Sequence, residues 1–200
     1  FFERPFMIMT GGPGTGKSVV AINLLAECIH NGYMAQYITS NAAPRNVYST
    51  MLQKGFKKTD IKALFQSSGT FHTRKKNELQ IAIVDEAHRL RKKSGMFQNQ
   101  GEDQIKEIIN ASLFSVFFID RNQRVTFNDA GTIDKIRNFA QEQNSLIYEG
   151  VLESQFRCNG SDGYLAWLDN VLQIAETANY DGFEGDYDFK IFDNPHEMYD

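Results

Sequence analysis

The chain has 200 residues, of which 42% are hydrophobic and 23% are charged. This composition is that of an ordinary globular protein and argues against intrinsic disorder, and the length allows one α/β domain and part of a second. The net charge of −4 combines a mildly basic body with an acidic C-terminal stretch, so the total charge does not identify a partner.

The ends of the chain and its cysteines set further expectations. The chain begins at Phe1 without an initiator Met, and we expect a fragment of a longer protein. Its richest apolar stretch, residues 113–119, is far shorter than the ~20 residues of a membrane span, and no secretory signal is present. Cys28 and Cys158 lack the spacing of a disulfide framework or a zinc site. We therefore expect buried thiols in a reducing compartment, no membrane association, and a cytoplasmic protein.

Strands and helices alternate along the predicted secondary structure. Apolar runs bounded by turn residues predict strands, over residues 5–10, 33–39, 79–84, 115–119 and 145–152. Apolar residues at helical spacing predict helices, over residues 19–30, 44–54, 59–65, 103–111, 132–143 and 161–174. Such alternation is typical of a parallel sheet with helices on both faces, so we expect an α/β fold.

A glycine-rich segment joins the first predicted strand to the first predicted helix. It reads GGPGTGKS from Gly11 to Ser18, which in this context indicates a phosphate-binding loop. Glycines let backbone N–H groups turn around a phosphate, and the helix start directs its positive dipole end at the anion. We expect Lys17 to contact the β- and γ-phosphates and Ser18 to bind Mg²⁺. The predicted nucleotide-binding residues are Gly12, Pro13, Gly14, Thr15, Gly16, Lys17, Ser18 and Val19.

Two acidic residues follow the predicted strand 79–84. Asp85 and Glu86 have the arrangement of a Walker B motif, in which Asp85 holds Mg²⁺ through water and Glu86 orients or deprotonates the attacking water. The alternative is that both acids only cap the following helix, and the upstream phosphate-binding loop favours the catalytic interpretation. His88 is interpreted in two ways, as a packed or capping histidine and as a residue that couples hydrolysis to motion.

These motifs, with the sequence DEAH at residues 85–88, resemble helicase ATPase cores. The sequence IDRNQ at 119–123 is similar to motif III of superfamily 1 helicases, and LESQFR at 152–157 is similar to their motif IV. The amino-acid sequences of these motifs resemble those of the Schlafen group 3-like DNA/RNA helicase domain, and the resemblance covers most of the chain. The resemblance implies a P-loop NTPase with a RecA-like sheet over 1–150 and the beginning of a second RecA-like domain over 151–200.

The resemblance also implies roles for individual residues. Gln123 corresponds to the motif III glutamine that senses the γ-phosphate, and Arg157 to the motif IV arginine that reaches the γ-phosphate from the second domain. By chemistry alone, Gln123 would be interpreted as a solvated loop residue, and an ordinary surface arginine is the alternative interpretation of Arg157. Residues 39–43 stand where motif Ia contacts the single strand, although an ordinary strand–helix turn explains them equally. The candidate nucleic-acid contacts are Ser40, Asn41 and Arg45.

The expected function is ATP binding and hydrolysis, with ATP and Mg²⁺ as cofactors, coupled to single-stranded DNA or RNA. Two basic clusters, residues 74–76 and 89–93, fit phosphate contacts or solvated loops. The alternatives are a nucleotide-dependent switch without translocation and a phosphate-binding module without hydrolysis. Relatives of this domain sometimes carry a nuclease domain, so we expect that one could occur elsewhere in the full-length protein.

Overall fold

One six-stranded sheet organises most of the described chain. The computed structural model describes residues 4–52, 57–123, 126, 128–154, 162–177 and 190–197. The strands are β1 (Arg4–Gly11), β2 (Ala35–Thr39), β3 (Phe65–Ser67), β4 (Leu79–Val84), β5 (Ser112–Ile119) and β6 (Ser145–Leu152). The α-helices are α1 (Lys17–His30), α2 (Ala42–Leu52), α3 (Lys58–Leu64), α4 (Gln104–Ala111), α5 (Ile133–Glu142) and α6 (Asp162–Val171).

The strand order is β3-β2-β4-β5-β1-β6, and every pairing is parallel. In the centre of the sheet, Phe6 of β1 lies opposite Ser115 of β5, and Ile83 of β4 lies opposite Val116. Parallel strands bring their carboxyl ends to one edge of the sheet, where open α/β folds bind ligands. Because β5 lies between β1 and β4, the strand leading into Asp85 is two strands away from the strand leading into the glycine-rich loop.

Alternate strand residues build two separate cores, one on each face of the sheet. On β1, Phe6 and Ile8 are buried in the core covered by α4 and α5, whereas Met7 and Met9 pack against the core covered by α1 and α3. A strand buried on both faces needs apolar residues at successive positions, which explains the nearly continuous apolar runs of β1, β4 and β5. The predicted α/β class, a parallel sheet with helices on both faces, is confirmed.

The predicted elements differ from the observed ones mainly around β3. Residues 59–65 were expected to be helical to their end and to be followed by a turn. Instead Phe65 begins a three-residue strand that pairs with β2, and Ser68–Thr73 forms a 3₁₀ turn. Three residues are too few for apolar periodicity to be recognised, and the pairing with Tyr37 and its neighbours on β2 decides the conformation.

The chain divides into two compact units, Phe1–Phe156 and Arg157–Asp200. The first contains the whole sheet. In the second, the rings of Tyr164 and Trp167 on α6 stack with their centroids 6.2 Å apart. Cys28 is a buried free thiol whose pKa is raised by burial, and Cys158 lies outside the described residues. No helix in the described ranges is long and apolar enough to cross a membrane.

Candidate nucleotide-binding site

The glycine-rich loop between β1 and α1 is held in one conformation by its own contacts. Gly14 and Gly16 have φ angles of 79° and 81°, which residues with side chains rarely adopt. A Cβ at Gly11 would collide with the hydroxyl of Thr15 and approach the carbonyl oxygen of Leu152 to 3.0 Å. The hydroxyl of buried Thr15 donates to the carbonyl of Gly12 at 3.0 Å. The loop backbone is therefore shaped before any ligand binds.

Helix α1 begins directly after this loop, and its N-terminus has neither a side-chain cap nor a nearby negative charge in its first turn. Its N-cap is Gly16, which has no side chain to accept from the first N–H groups, and its first turn contains no acidic residue. The first N–H groups of a helix have no partners within the helix and carry the positive end of its dipole. Lys17 and Ser18 add an ammonium and a hydroxyl to the same turn. Together these groups can bind an anion such as a phosphate chain.

The ammonium of Lys17 is held at the carboxyl edge of the sheet. Its Nζ donates to the carbonyls of Gly11 at 2.7 Å and Gly12 at 2.5 Å, and it lies 3.5 Å from Oδ2 of Asp120. Asp120 follows β5, is almost fully buried and accepts from the N–H of Asn122 at 3.0 Å. Asp120 was not among the predicted site residues, although its position directly after a strand resembles that of Asp85.

Asp85 is oriented by hydrogen bonds to both of its carboxylate oxygens. It is 1% exposed; its Oδ2 accepts from the hydroxyl of Tyr37 at 2.5 Å, and its Oδ1 accepts from the N–H of Glu86 at 2.9 Å. Burial, and then the negative charge of Asp85, raise the pKa of Tyr37 far above its ordinary value, so this phenol remains a donor. Tyr37 is a site residue that sequence reasoning missed, because nothing in an apolar strand pattern marks its partner.

Glu86 has the backbone conformation of a strained site residue. Its φ of 51° and ψ of 46° are left-handed, which costs a residue with a side chain about 1–2 kcal/mol. Its Oε2 lies 3.7 Å from a guanidinium nitrogen of Arg89, but has no hydrogen-bond partner among the described residues. The carboxylate can therefore accept a hydrogen bond from a water molecule without giving up an existing one.

His88 and Gln123 line one cavity of about 340 Å³, together with Asp120. His88 is 3% exposed, and neither ring nitrogen has a hydrogen-bond partner in the described part of the chain. Burial lowers the pKa of His88, although the charges of Glu86 and Asp120 oppose this shift. A Cβ on Gly131 would collide with the carbonyl of residue 87, so Gly131 packs closely against the segment that follows Asp85 and Glu86.

The candidate nucleic-acid residues separate into different places. Ser40 Oγ donates to the carbonyl of Arg89 at 3.1 Å and lies 3.0 Å from Ser68 Oγ, at a cavity of about 190 Å³ that Arg91 and Lys93 also line. Ser40 thus lies beside the second basic cluster, residues 89–93. The Asn41 side chain instead accepts from the N–H of residue 43 at 3.1 Å, as a cap of α2.

Two other predicted features lie elsewhere. Arg45 lines a separate cavity with Lys58 and Lys62, and burial lowers the pKa of its guanidinium. In the first basic cluster, Arg74 forms an ion pair with Glu78 at 2.8 Å, so part of its charge is compensated locally. The motif IV residue Arg157 lies outside the described residues.

The oxygen donors at the edge of the sheet fit a magnesium ion. In the described ranges, no group of three or more His, Cys, Asp or Glu side chains could hold a metal ion. Magnesium at phosphate-transfer sites does not need such a cage, because substrate phosphates and water supply most of its ligands. The hydroxyl of Ser18 and the carboxylate of Asp85 are the hard oxygen donors that Mg²⁺ prefers, and Asp85 is already fixed in orientation by its two donors.

Comparisons with known proteins identify a family. The family model described as "Schlafen group 3, DNA/RNA helicase domain" matches residues 4–200. No curated protein matches the chain at a significant level. Among solved structures, AMPPCP-bound DnaA from Aquifex aeolicus is similar over 74% of this chain, with 13% sequence identity and a TM-score of 0.31. The chain spans 40% of that DnaA chain, and a likeness this weak says nothing about function.

Proposed function

The chain belongs to the Schlafen group 3 DNA/RNA helicase domain family, and we propose that it binds ATP with Mg²⁺ and couples ATP hydrolysis to single-stranded DNA or RNA. The observation that carries this proposal is the position of Lys17. Its ammonium lies at the end of the glycine-rich loop, 3.5 Å from Asp120, which follows β5, and β4 beside β5 leads into Asp85 and Glu86. A cation, a free helix N-terminus and a buried acid at one sheet edge suit a metal-bound triphosphate.

The loop residues from Gly12 to Val19 would hold the phosphates through their backbone N–H groups. Lys17 has a flexible stem and three donors, so its ammonium can leave the two carbonyls that it now contacts and turn toward the β- and γ-phosphates. These charge-assisted bonds are stronger than the bonds to neutral carbonyls. Before the phosphates bind, Gly11, Gly12 and Asp120 thus hold the ammonium of Lys17 close to the position that the phosphates would occupy.

Hydrolysis would depend on the acidic loop after β4. Ser18 and Asp85 would hold Mg²⁺, which when bound neutralises charge on the phosphates. Glu86 would accept a hydrogen bond from the attacking water, a role supported by its strained backbone and by its Oε2, which accepts no hydrogen bond from the described residues. Gln123 would sense the γ-phosphate from its position beside Asp120.

A second domain would complete this catalytic site. We infer that Arg157 supplies a positive charge that stabilises the negative charge of the transition state, as arginine fingers do. We also infer that residues after 150 begin a second RecA-like domain. The compact unit Arg157–Asp200 supports a division of the chain near this point. The nuclease domain expected from the resemblance would lie elsewhere in the full-length protein.

The nucleic acid would contact the same sheet edge through the cavity beside Ser40. Its wall is a polar network in which Gln104 accepts from Ser68 at 3.0 Å and donates to Ser94 at 2.9 Å, and both serines are 2% exposed. Arg91 and Lys93 form no ion pair within the described part of the chain. Hydroxyls and free cations at one place suit contacts with a phosphodiester backbone.

The decisive experiment measures ATP turnover by the full-length protein with and without single-stranded DNA and RNA, at low and moderate salt. We expect a several-fold increase with one of the two, and no turnover from Lys17→Ala. An ATP turnover rate that is the same with and without either nucleic acid would instead favour a nucleotide-dependent switch. Absence of turnover and of nucleotide binding in the wild type would contradict the proposal altogether.

A further inference from the structure

Two large apolar side chains stand exposed at the tip of the loop formed by residues 91–100. Met96 is 92% exposed, and Phe97 is 82% exposed, which makes it the most exposed phenylalanine among the described residues. An aromatic side chain buries about 150–250 Å² when it is packed, and none of this burial is realised here. No role assigned above uses either side chain.

The 91–100 loop is a closed turn with a buried anchor. The N–H of Ser94 donates to the carbonyl of Gln100 at 2.8 Å, and the N–H of Gln100 donates back at 3.1 Å. Ser94 is 2% exposed, and its hydroxyl accepts from the side-chain amide of Gln104 at 2.9 Å. At the tip, the N–H of Gln98 donates to the carbonyl of Gly95 at 3.1 Å. The two apolar side chains therefore project from an ordered turn that the core holds at its base.

The stem of this loop is basic and lines the cavity of about 190 Å³ beside Ser40. Arg91, Lys92 and Lys93 are all exposed, and none of them forms an ion pair within the described ranges. Cations that follow a backbone, combined with aromatic rings on which bases stack, are the features that bind single-stranded nucleic acids without regard to sequence. The stem and the tip supply these two features side by side.

We propose that the ring of Phe97 stacks on a base of the single strand whose phosphates lie in the cavity beside Ser40, an inference that rests on the proposed function. Continuity of the chain is the reason, because Gly95 lines the cavity and is followed directly by the tip. An unpaired base exposes a flat face that the ring covers, and the flexible thioether of Met96 fills the space at its edge. Since every base has such a face, this contact does not select a sequence.

The cavity favours a nucleic acid over a lipid bilayer as the occupant of this surface. It is a recess lined by hydroxyl groups, those of Ser40, Ser67 and Ser68 among them. A single strand can place a phosphate in the recess and a neighbouring base at the tip, because both belong to one flexible chain. The flat surface of a bilayer fits a recess beside a projecting tip less well.

The test compares a strand that has bases with a strand that has none. Fluorescence anisotropy measures how the full-length protein binds labelled single-stranded DNA and RNA, and strands of the same length in which abasic sites replace every base. Phe97→Ala should bind the strand with bases about tenfold more weakly, the loss expected for one stacked base, and bind the abasic strand within about twofold of the wild type. Phe97→Tyr keeps a flat ring and should restore the affinity. Met51→Ala is the control, because Met51 is 67% exposed on α2 and does not line the cavity.

The remaining outcomes contradict the inference in distinguishable ways. Unchanged binding by Phe97→Ala, or an equal loss for both kinds of strand, would show that the ring does not stack on a base. If Phe97→Ala instead loses binding only to vesicles of phosphatidylglycerol and phosphatidylcholine, the tip contacts a membrane. If the wild type binds neither kind of strand, the nucleic-acid part of the proposed function is wrong, and the stacking contact is lost with it.

Discussion

The hydroxyl of Tyr37 donates a hydrogen bond of 2.5 Å to the carboxylate of Asp85, which joins the middle of β2 to the end of β4. Tyr37 is fully buried, and its ring packs against Tyr48 and Phe65 with centroids 5.8 and 5.6 Å away. With the N–H of Glu86 on the other oxygen, the carboxylate proposed to hold Mg²⁺ is oriented from two sides. Such supporting bonds typically fix a ligand and tune its affinity.

Tyr37→Phe should therefore weaken binding of Mg²⁺ in the presence of ATP by about tenfold, the lower end of the effect of such supporting bonds. The ring contacts remain, so the change isolates the hydroxyl. The measurement is a Mg²⁺ titration of ATP binding. Tyr48→Phe serves as the control, because it removes a hydroxyl from the same aromatic cluster. Equal Mg²⁺ requirements for Tyr37→Phe and the wild type would refute the positioning role.

Glu86→Gln should bind ATP with nearly wild-type affinity but hydrolyse it about 10²–10⁴ times more slowly. The amide keeps the size of the side chain but cannot take a proton from water. Binding by calorimetry and turnover by phosphate release separate the two effects. Glu27→Gln, on the exposed side of α1, is the control and should leave both quantities unchanged. Wild-type turnover by the Glu86 variant would show that another group activates the water.

Arg91→Ala/Lys93→Ala should weaken binding of a single-stranded oligonucleotide about tenfold at moderate salt. It should also reduce the dependence of affinity on salt, since each lost phosphate contact removes about one unit of slope on logarithmic axes. The matched control is Lys75→Ala/Lys76→Ala, which removes the same charge from the first basic cluster. If both double variants lose the same affinity, the effect is one of net charge and the cavity beside Ser40 is not a contact site.

His88 should make the protein less stable in acid. Burial lowers its folded-state pKa, with Glu86 and Asp120 opposing the shift and Lys17 and Arg89 adding to it. An unfolded histidine gains a proton below about pH 6.5. The contribution to stability is therefore complete above pH 6.5 and falls as the pH drops toward the lowered folded-state pKa, by up to ~1.4 kcal/mol per pH unit.

Urea unfolding at pH 7.5, 6.5 and 5.0 measures this effect. The free energy of unfolding of His88→Leu should fall less between pH 6.5 and 5.0 than that of the wild type, because leucine has no proton to gain. His30→Gln, at the end of α1, provides the comparison for an exposed histidine. Parallel profiles for His88→Leu and the wild type would mean that His88 does not supply the acid sensitivity.

Most of the sheet could be predicted from local patterns. The strand β4 was predicted at its observed bounds of Leu79–Val84, because a strand buried on both faces carries a nearly continuous apolar run. The helices α4 and α5 were predicted from 103 and from 132 by their apolar spacing, and Asp103 and Thr132 cap them through their side chains, as residues of these types commonly do. These features depend on neighbours in sequence, and a single sequence contains them.

Contacts between distant segments could not be predicted in the same way. The bond from Tyr37 to Asp85 spans 48 residues, and the proximity of Lys17 and Asp120 depends on β5 lying beside β1. The meeting of Ser40 with the basic loop likewise depends on strand order. No local pattern encodes strand order, so the motifs indicated the chemistry while the fold decides which residues share a site.

Binding of Mg·ATP to the 200-residue chain, measured by calorimetry, tests the central claim most directly. The wild type should bind one nucleotide per chain, and Lys17→Ala should bind it about 100-fold more weakly, since charge-assisted hydrogen bonds to the phosphates contribute about 1.5–3 kcal/mol each. Lys62→Ala, which removes a cation from the separate cavity beside Arg45, should leave the affinity unchanged. No heat from the folded wild type, or equal affinities for the wild type and Lys17→Ala, would contradict the account.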